Sequence, residues 1–489
     1  MSTRELALGS GQNASKFVFT DTDLVVERAA DKKWPKVKTS LRNVLWAELK
    51  GDAFEVSLLA KKKPKLPLSL LHVTGTVGDA DKESAASFTE ALMSAAYAGL
   101  PRQRRLKVFV NPKSGPGKAV AQYRKKIEPI FNAAKCKVDV TFTTHGKHAQ
   151  EIIEKLPLDQ FDAVVVMSGD GLVHEVFNGY AKHAEPAKAF RIPITPIPTG
   201  SGNGLALNLL GLEEGRDVAV AALNAIKGRP MPMDIFSVTQ DGKRYMSFMS
   251  QAMGLMADLD LGTEHLRFMG GTRFVVGFMY EIVKNKQIPA KISMKIAEQD
   301  KRKMVEDLHA SRAQAQATYT AAAASEPGAA TSTANGETAS GTSLPELKHT
   351  GAARGDSDGW VTFDQPLTYL YAGKGPYVSA DFMQFPVSQP NDGLIDIVLQ
   401  VRADRGNMLK AMDGAERGNQ FWMDTQHYYK AHALRVEPHY QKGYLSIDGE
   451  SYPVLPFEIE VHKGLGSLLS MYGCFQAPFD LPPEKPPAA

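Results

Sequence analysis

Residues 163–180, AVVVMSGDGLVHEVFNGY, decide the fold. Ala163 to Met167 is a short Val-rich apolar run, which predicts a buried parallel strand. Ser168-Gly169-Asp170-Gly171 breaks that run with two glycines around one carboxylate. Val173, Val176, Phe177 and Tyr180 then recur at helical spacing, with His174, Glu175 and Asn178 assigned to other faces. Strand, glycine turn and helix in succession place Asp170 at the carboxyl end of a sheet, beside a helix N-terminus. Open α/β sheets bind ligands there, and anions are favoured there.

The same unit recurs on either side. Leu106–Val110 reads as a strand, Lys118–Ala134 as a helix, Cys136–Thr143 as a strand and Lys147–Leu156 as a helix. After the central pair, Arg191–Pro198 reads as a further strand despite its prolines, and Leu205–Leu210 opens another helix. This alternation predicts a Rossmann-like parallel sheet covered by helices over residues 101–225.

Beyond Ala225 the pattern changes. A hairpin is expected about Asp241-Gly242, followed by strand candidates at KISMKIA, WVTF, LTYLYAG, LIDIVLQ, ALRVEP, GYLSI and FEIEV. Residues 226–475 are therefore expected to form a β-sandwich, with helices around 264–285 and 404–420. Within it, residues 302–359 are rich in Ala, Ser, Thr and Gly. They are read as a disordered insertion, with a poly-Ala helix, weakened by Pro327, as the alternative. The proline-rich tail 476–489 is expected to be loose.

Residues 1–100 form a further unit. KFVFT, DLVVE, NVLWAEL, FEVSLLA and LSLLHVTG are short apolar segments separated by turn residues, and Ser84–Ala98 is amphipathic. A small β-rich module closed by one helix follows, in a pleckstrin-homology-like arrangement by fold analogy. Lys61, Lys62, Lys63 and Lys65 fall on a loop. A solvated charge run is the simpler reading, and contact with anionic lipid the alternative.

The totals set bounds. A chain of 489 residues needs two or three domains. Its 43% hydrophobic and 23% charged content is ordinary for a globular protein, and a net charge of +3 makes no case for nucleic-acid binding. Cys136 and Cys474 imply neither a disulfide framework nor a metal site, which fits a reducing, cytoplasmic setting. The N-terminus has no apolar core of a signal peptide, and Ser2 stands where N-myristoylation needs glycine. No apolar run approaches the roughly 20 residues of a membrane span, so any contact with intracellular or plasma membranes is expected to be peripheral.

Three glycine-rich turns follow three strands of the α/β half: Asn111-Pro-Lys113-Ser-Gly-Pro-Gly-Lys118, Ser168-Gly169-Asp170-Gly171 and Pro198-Thr-Gly200-Ser201-Gly202-Asn203-Gly204. Glycines let backbone N–H groups approach phosphate oxygens, so three such turns at one sheet edge predict a nucleotide site. The first is not a Walker A loop, because its spacing is wrong and Ala119 stands where Ser or Thr would hold magnesium. No stretch reads GxGxxG, which disfavours a dinucleotide-dependent hydride enzyme.

NPKSGPGKA, SGDGLVHEVFNGY and PTGSGNGLA resemble the three nucleotide-site motifs of the diacylglycerol kinase-like lipid kinases. Residues 247–274, SFMSQAMGLMADLDLGTEHLRFMGGTRF, resemble the lipid-site segment of sphingosine kinases. SIDGE (446–450) resembles their last motif, and NDGLIDIVL (391–399) a typical β segment. A β module ahead of the kinase is similar to the fungal and plant long-chain base kinases.

The resemblance implies an ATP- and magnesium-dependent kinase for sphingoid bases. Asn111, Thr144, Gly171, Glu175, Ser201 and Gly202 would line the nucleotide, with Lys113, Lys118, Gly169, Gly200 and Asn203 in the same loops. Asp170 would face the acceptor hydroxyl. Ser250 and Asp260 would hold the sphingoid head group, with Leu255 and Met256 beside them. Arg267 and Arg273 would contact phosphates, and Asp448, Gly449 and Glu450 would return to the nucleotide. A diacylglycerol or ceramide kinase on the same scaffold is the alternative, and a homodimer is compatible with the reading. Magnesium ligands are not identified.

The physical reading agrees. A hydroxyl nucleophile needs a carboxylate to take its proton, and Asp170 is the only acid inside one of the three glycine turns. Phosphates need cations, which Arg267, Arg273 and Lys118 could supply. A cationic sphingoid amine would pair with Asp260, which a neutral lipid would leave without that partner. Other readings stand beside these. Asp170 could cap the helix that follows it. Arg267 and Arg273 could be surface ion-pair partners. Met249, Met253, Leu255 and Met256 could line an acyl tunnel or be core. Asp392 could be structural.

Overall fold

In the computed structural model Ala163–Ser168 is a strand with every residue buried. The structure describes residues 3–9, 14–28, 31–32, 34–262, 287–323, 343–351 and 359–482. The central strand pairs in parallel with Arg105–Val110 on one side and Ile194–Pro198 on the other, and Lys137–Phe142 extends the sheet. Pro196 and Pro198 are tolerated because Ile194–Pro198 is paired on its far side only at Ile194, with Leu468. The helices Asp170–Lys182 and Gly204–Glu214 begin within the second and third glycine turns.

The strand beyond Ile194 was not foreseen as part of this sheet. Phe457–Ser470 runs for 14 residues. It pairs antiparallel with Arg229–Gln240 and Gln426–Pro438, and its far end meets Ile194 in parallel. The two halves therefore share one mixed sheet, where the sequence suggested a Rossmann-like sheet and a separate sandwich. Residues 468–470 are buried, so the strand's apolar end lies in the first half's core.

In the second half the hairpin Arg229–Gln240/Lys243–Ser247 turns at Asp241 and Gly242, whose φ values of 50° and 69° are those of a type I′ turn. The strands Ser250–Gly254, Leu367–Gly373 and Ile395–Val401 are buried on both faces. Met253, Leu370, Ile397 and Leu399 join one core with Ile292 and Ile459. The alternate residues Ala252, Tyr369 and Val398 join another with Leu255, Met256, Phe421 and Phe479.

The expected disorder over 302–359 fails at its start. Lys301–Ala323 is a helix of 23 residues. Met304, Val305 and Leu308 share one helical face and are buried. The Tyr319 hydroxyl donates to the Ser470 carbonyl at 2.9 Å, and the Arg229 guanidinium lies 4.6 Å from the Tyr319 ring centre. Alanine is the best helix former, so the run reads as helix once one face is covered. Residues 343–351 are also described; there Glu460 accepts hydrogen bonds from the amides of Lys348, His349 and Thr350.

The N-terminal unit is β-rich as expected. Arg4–Leu8, Ser15–Phe19, Asp23–Arg28 and Lys36–Ser40 form one antiparallel sheet, and Val44–Lys50, Ala53–Ala60 and Ser69–Thr76 another. The helix Lys82–Ala96 follows. Phe54 packs edge-on against Phe17 and Phe88 at 4.9 and 6.0 Å. The module is locked to the α/β half. Lys227 Nζ donates to the Ala96 carbonyl at 2.8 Å and lies over the Tyr97 ring. Arg42 bridges to the Tyr472 hydroxyl and Glu214.

Candidate active site

The three glycine turns meet one another before they meet any ligand. A Cβ on Gly115 (φ +50°) would lie 2.4 Å from the Thr199 carbonyl oxygen. One on Gly200 would lie 2.3 Å from Gly169 Cα, and one on Gly169 2.6 Å from the Gly202 carbonyl oxygen. These glycines let backbone pass against backbone. Gly171 and Gly202 are different: the nearest atoms to an added Cβ are a Glu450 carboxylate oxygen at 3.3 Å and an Asp170 oxygen at 3.8 Å. Gly200→Ala should therefore destabilise the fold by about 1–3 kcal/mol, while Gly202→Ala should stay within about 0.5 kcal/mol of wild type. Urea unfolding checks this, and equal losses at the two positions would refute it.

Polar side chains set the loops. Asn111 donates weakly to Ser168 Oγ at 3.4 Å and accepts the Lys113 amide at 3.0 Å. Asn203 closes its loop on Gly200 through two hydrogen bonds, at 3.0 and 2.7 Å. The buried Thr199 hydroxyl donates to Ser114 Oγ at 3.2 Å, a tie the sequence reading missed. Ser201, Lys113 and Lys118 are exposed around these turns.

Asp170 is the first residue of its own helix, and it does not cap it. Its carboxylate caps the helix Gly204–Glu214 instead, accepting the Gly204 amide at 2.7 Å and the Leu205 amide at 3.1 Å. Burial pushes its pKa up to about 6; those two amides oppose the shift, and Asp448 and Asp260 add to it. Glu175, one turn on, likewise caps a different helix, accepting the Ala149 amide at 3.2 Å. Burial raises its pKa, and Glu450 nearby adds to the rise. Thr144 sits at the same corner, its amide donating to His148 at 3.2 Å.

The segment 247–260 closes the site from the second half. The Met249 side chain lies where a Cβ on Gly204 would go, so it abuts the helix end that Asp170 caps. Asp448 (φ +51°) turns its carboxylate onto the 247–250 backbone and His174. Its carboxylate is buried. It accepts from the amides of Phe248, Met249 and Ser250 at 3.2, 3.0 and 2.9 Å, from Ser247 Oγ at 2.8 Å, and faces His174 Nδ1 at 2.8 Å. A carboxylate meeting so many donors holds the 247–250 turn. Of the next two residues, Glu450 reaches the second glycine turn. Glu450 stands over Gly171, and Gly449 (φ +84°) stands beside Asp260.

Asp260 accepts a hydrogen bond from Ser446 Oγ at 2.6 Å. Ser250 is buried with its amide on Asp448. Leu255 and Met256 are core residues packed with Leu207, Tyr369 and Val398. Arg267 and Arg273 lie outside the described residues. His174 and Asn178, assigned to other faces than the apolar stripe, are both buried. Asn178 exchanges hydrogen bonds with the Met246 backbone at 2.8 and 3.0 Å. Their spacing of four on an apolar helix was the available signal.

Chemically, the arrangement gathers exposed loop amides and cations at one sheet edge, with a basic-shifted carboxylate behind them and a second acid, Asp260, nearby. Among the described residues no three His, Cys, Asp or Glu side chains cluster as metal ligands.

Residues 105–238 match the family described as Diacylglycerol kinase catalytic domain, and residues 15–98 match a domain of unknown function. The chain is 32% identical to Sphingoid long chain base kinase 4 of Schizosaccharomyces pombe, over 81% of each chain. It is 26% identical to Sphingoid long chain base kinase 5 of Saccharomyces cerevisiae, over 78% of this chain and 62% of that one. It is 24% identical to Sphingosine kinase 2 of Homo sapiens, over 76% and 72%. Among solved structures, a putative diacylglycerol kinase from Bacillus anthracis aligns with 75% of this chain and 97% of its own, at 18% identity and a TM-score of 0.48.

Proposed function

This chain belongs to the sphingoid long-chain base kinases, a family with a diacylglycerol kinase-type catalytic domain, and from that premise we propose how it acts. It is a lipid kinase that transfers the γ-phosphate of ATP to the primary hydroxyl of sphingosine, dihydrosphingosine or phytosphingosine. The product is the sphingoid base 1-phosphate. The relatives named above carry sphingoid substrates in their names, and the diacylglycerol or ceramide alternative gains no support from them.

The observation that carries the mechanism is the placement of Asp170. It stands where the second and third glycine turns touch, against the helix end that Met249 of the lipid-side segment abuts. A carboxylate with a pKa near 6 is ionised at neutral pH and still basic enough to accept the proton of an attacking hydroxyl. Gly202 leaves room above its loop for phosphate oxygens, and exposed Lys113, Lys118 and Ser201 can contact them. ATP supplies the transferable phosphoryl group, and magnesium bound with it would neutralise its developing charge. Arg267 and Arg273 remain candidates for further phosphate contacts.

Asp260 would hold the cationic amine of the sphingoid base. Its carboxylate is already oriented by Ser446, so the amine meets a fixed acid rather than a mobile one. Asp260→Asn should raise KM for sphingosine about 10–100-fold, as losing a charged partner predicts, and leave KM for ATP near wild type. An unchanged sphingosine KM would reassign the amine site.

We read the N-terminal module as pleckstrin-homology-like and the second half as a β-sandwich-type lipid-binding region. The protein would work in the cytoplasm at intracellular or plasma membranes, as a monomer or homodimer. The decisive experiment is purified protein with labelled ATP and a panel of sphingoid bases beside diacylglycerol and ceramide. Phosphorylation of diacylglycerol or ceramide in place of the bases would overturn the substrate, and no lipid product at all would leave a membrane scaffold with a silent nucleotide site.

A further inference from the structure

Apart from Lys32 on another loop, the described lysines of the N-terminal module fall into two groups. Those on its strands and helix are neutralised: Lys16 by Glu5, Lys36 by Glu27, Lys38 by Asp23, Lys50 by Glu48 and Glu55, and Lys82 by Asp52 and Asp79. The loop joining Ala53–Ala60 to Ser69–Thr76 is different. Lys61, Lys62, Lys63 and Lys65 are all exposed, and none makes an ion pair among the described residues. Leu66 follows them at 43% exposure, one of few large apolar side chains left in water. A turn formed by its amide and the Lys63 carbonyl, at 3.0 Å, sets it beside the lysines.

The loop is also anchored. The Leu68 amide donates to Asp217 Oδ2 at 2.8 Å, and the other oxygen of Asp217 caps the helix Val218–Lys227 through the Ala219 amide at 2.9 Å. One carboxylate thus joins the foot of the basic loop to the catalytic half. Whatever the loop grips is held in a fixed relation to the glycine turns.

We propose that the loop 61–66 docks the protein on an anionic lipid bilayer, the lysines meeting headgroup phosphates and carboxylates and Leu66 entering the interface. Unpaired lysines around an exposed aliphatic side chain match a surface that is negative outside and apolar beneath. A nucleic acid fits less well, because the loop offers no aromatic ring for a base to stack on. The choice of a bilayer rests on the lipid-kinase reading, since the substrate of such an enzyme resides in one.

The test uses the full chain and sedimentation with vesicles of phosphatidylcholine alone or mixed with phosphatidylserine, at low and high salt. Wild type should bind the mixed vesicles, release them as salt rises, and ignore the neutral ones. Each lysine neutralised should weaken binding about fivefold, so Lys61→Gln/Lys63→Gln should lose about 25-fold. Leu66→Ala should weaken binding to a smaller, salt-independent degree. Melting temperature and activity on sphingosine in detergent micelles should match wild type for these variants. Equal binding by variant and wild type, equal binding to both vesicle types, or retention on an oligonucleotide but not on vesicles would each overturn the proposal. If vesicle binding depends on these lysines but no sphingoid base is phosphorylated, the enzymatic reading fails and the docking surface stands.

Discussion

Asp170→Asn should lower kcat by about 10²–10⁴-fold while leaving the affinity for ATP close to wild type. The amide keeps the shape of the carboxylate but cannot take a proton from the sphingoid hydroxyl. The wild-type rate should rise with pH through an apparent pKa near 6, where burial has placed this group. That limb should vanish from whatever rate the variant retains. An undiminished kcat, or a variant that keeps the same limb, would move the base elsewhere.

The same substitution should make the protein more stable. The folded-state pKa of about 6 lies above the ordinary value of 3.8, so the folded chain holds this proton more tightly than the unfolded one. The resulting stabilisation is complete below about pH 4 and disappears as pH rises through 6. At neutral pH the ionised wild type therefore forgoes about 3 kcal/mol. Asn avoids that loss but accepts only one of the two amides of Gly204 and Leu205 well, at a cost of about 1 kcal/mol. The variant should be more stable than wild type at pH 8 by roughly 1–2 kcal/mol, and the difference should close toward pH 4. Urea titrations at the two pH values measure it.

The part of this site that the sequence disclosed is the part built from local pattern. A Val-rich run ended by a glycine pair predicts a strand and a turn, and Ala163–Ser168 and Asp170–Lys182 are where those residues put them. The roles of the individual glycines were not legible. Gly115, Gly169 and Gly200 are small because another loop passes over them, which no single stretch records. The partners of Asp448 are illegible in sequence for a related reason: Glu450 beside it reaches Gly171, but Asp448 itself accepts backbone amides some 200 positions away. Helix 301–323 is illegible in sequence because its sparse apolar residues become meaningful only against the Phe479 and Ser470 region. In the N-terminal module, RELAL and KVKTS were missed as strands because their apolar residues are too few to show alternation.

Lys374→Met should cost the fold about 3–5 kcal/mol, the largest stability loss expected of any substitution considered, although the residue is far from the glycine turns in sequence. Its ammonium is fully buried and donates to Asp234 at 2.7 Å, to Asp392 at 2.6 Å and to the Gln389 carbonyl at 2.8 Å. Lys430 joins Asp392 at 2.7 Å and Asp396 at 3.0 Å, and Tyr428 donates to Asp396 at 2.7 Å. Burial alone would lower the Lys374 pKa, but Asp234 and Asp392 outweigh it and raise it. Asp392 moves the other way: burial would raise its pKa, and the two lysines hold it far below the usual carboxylate range. Lys374 and Asp392 therefore favour their charged forms inside the protein, while burial pushes the Asp234 carboxyl up against the pull of Lys374. Asp234 lies at the bulge of Arg229–Gln240, where its other oxygen accepts the Gly464 amide at 2.8 Å. The network thus ties the long strand Phe457–Ser470, which completes the nucleotide sheet, to the strands of the lipid side. Removing the lysine strands Asp234 in a dry interior and leaves Asp392 with Lys430 alone, which is why the loss should be large; an apolar side chain of similar length cannot solvate them. Lys374→Met combined with Asp234→Asn should recover part of the loss, because one uncompensated charge is then gone. A single substitution costing under about 1 kcal/mol, or a double variant no better than the single one, would mean that these charges are solvated and do not join the two halves.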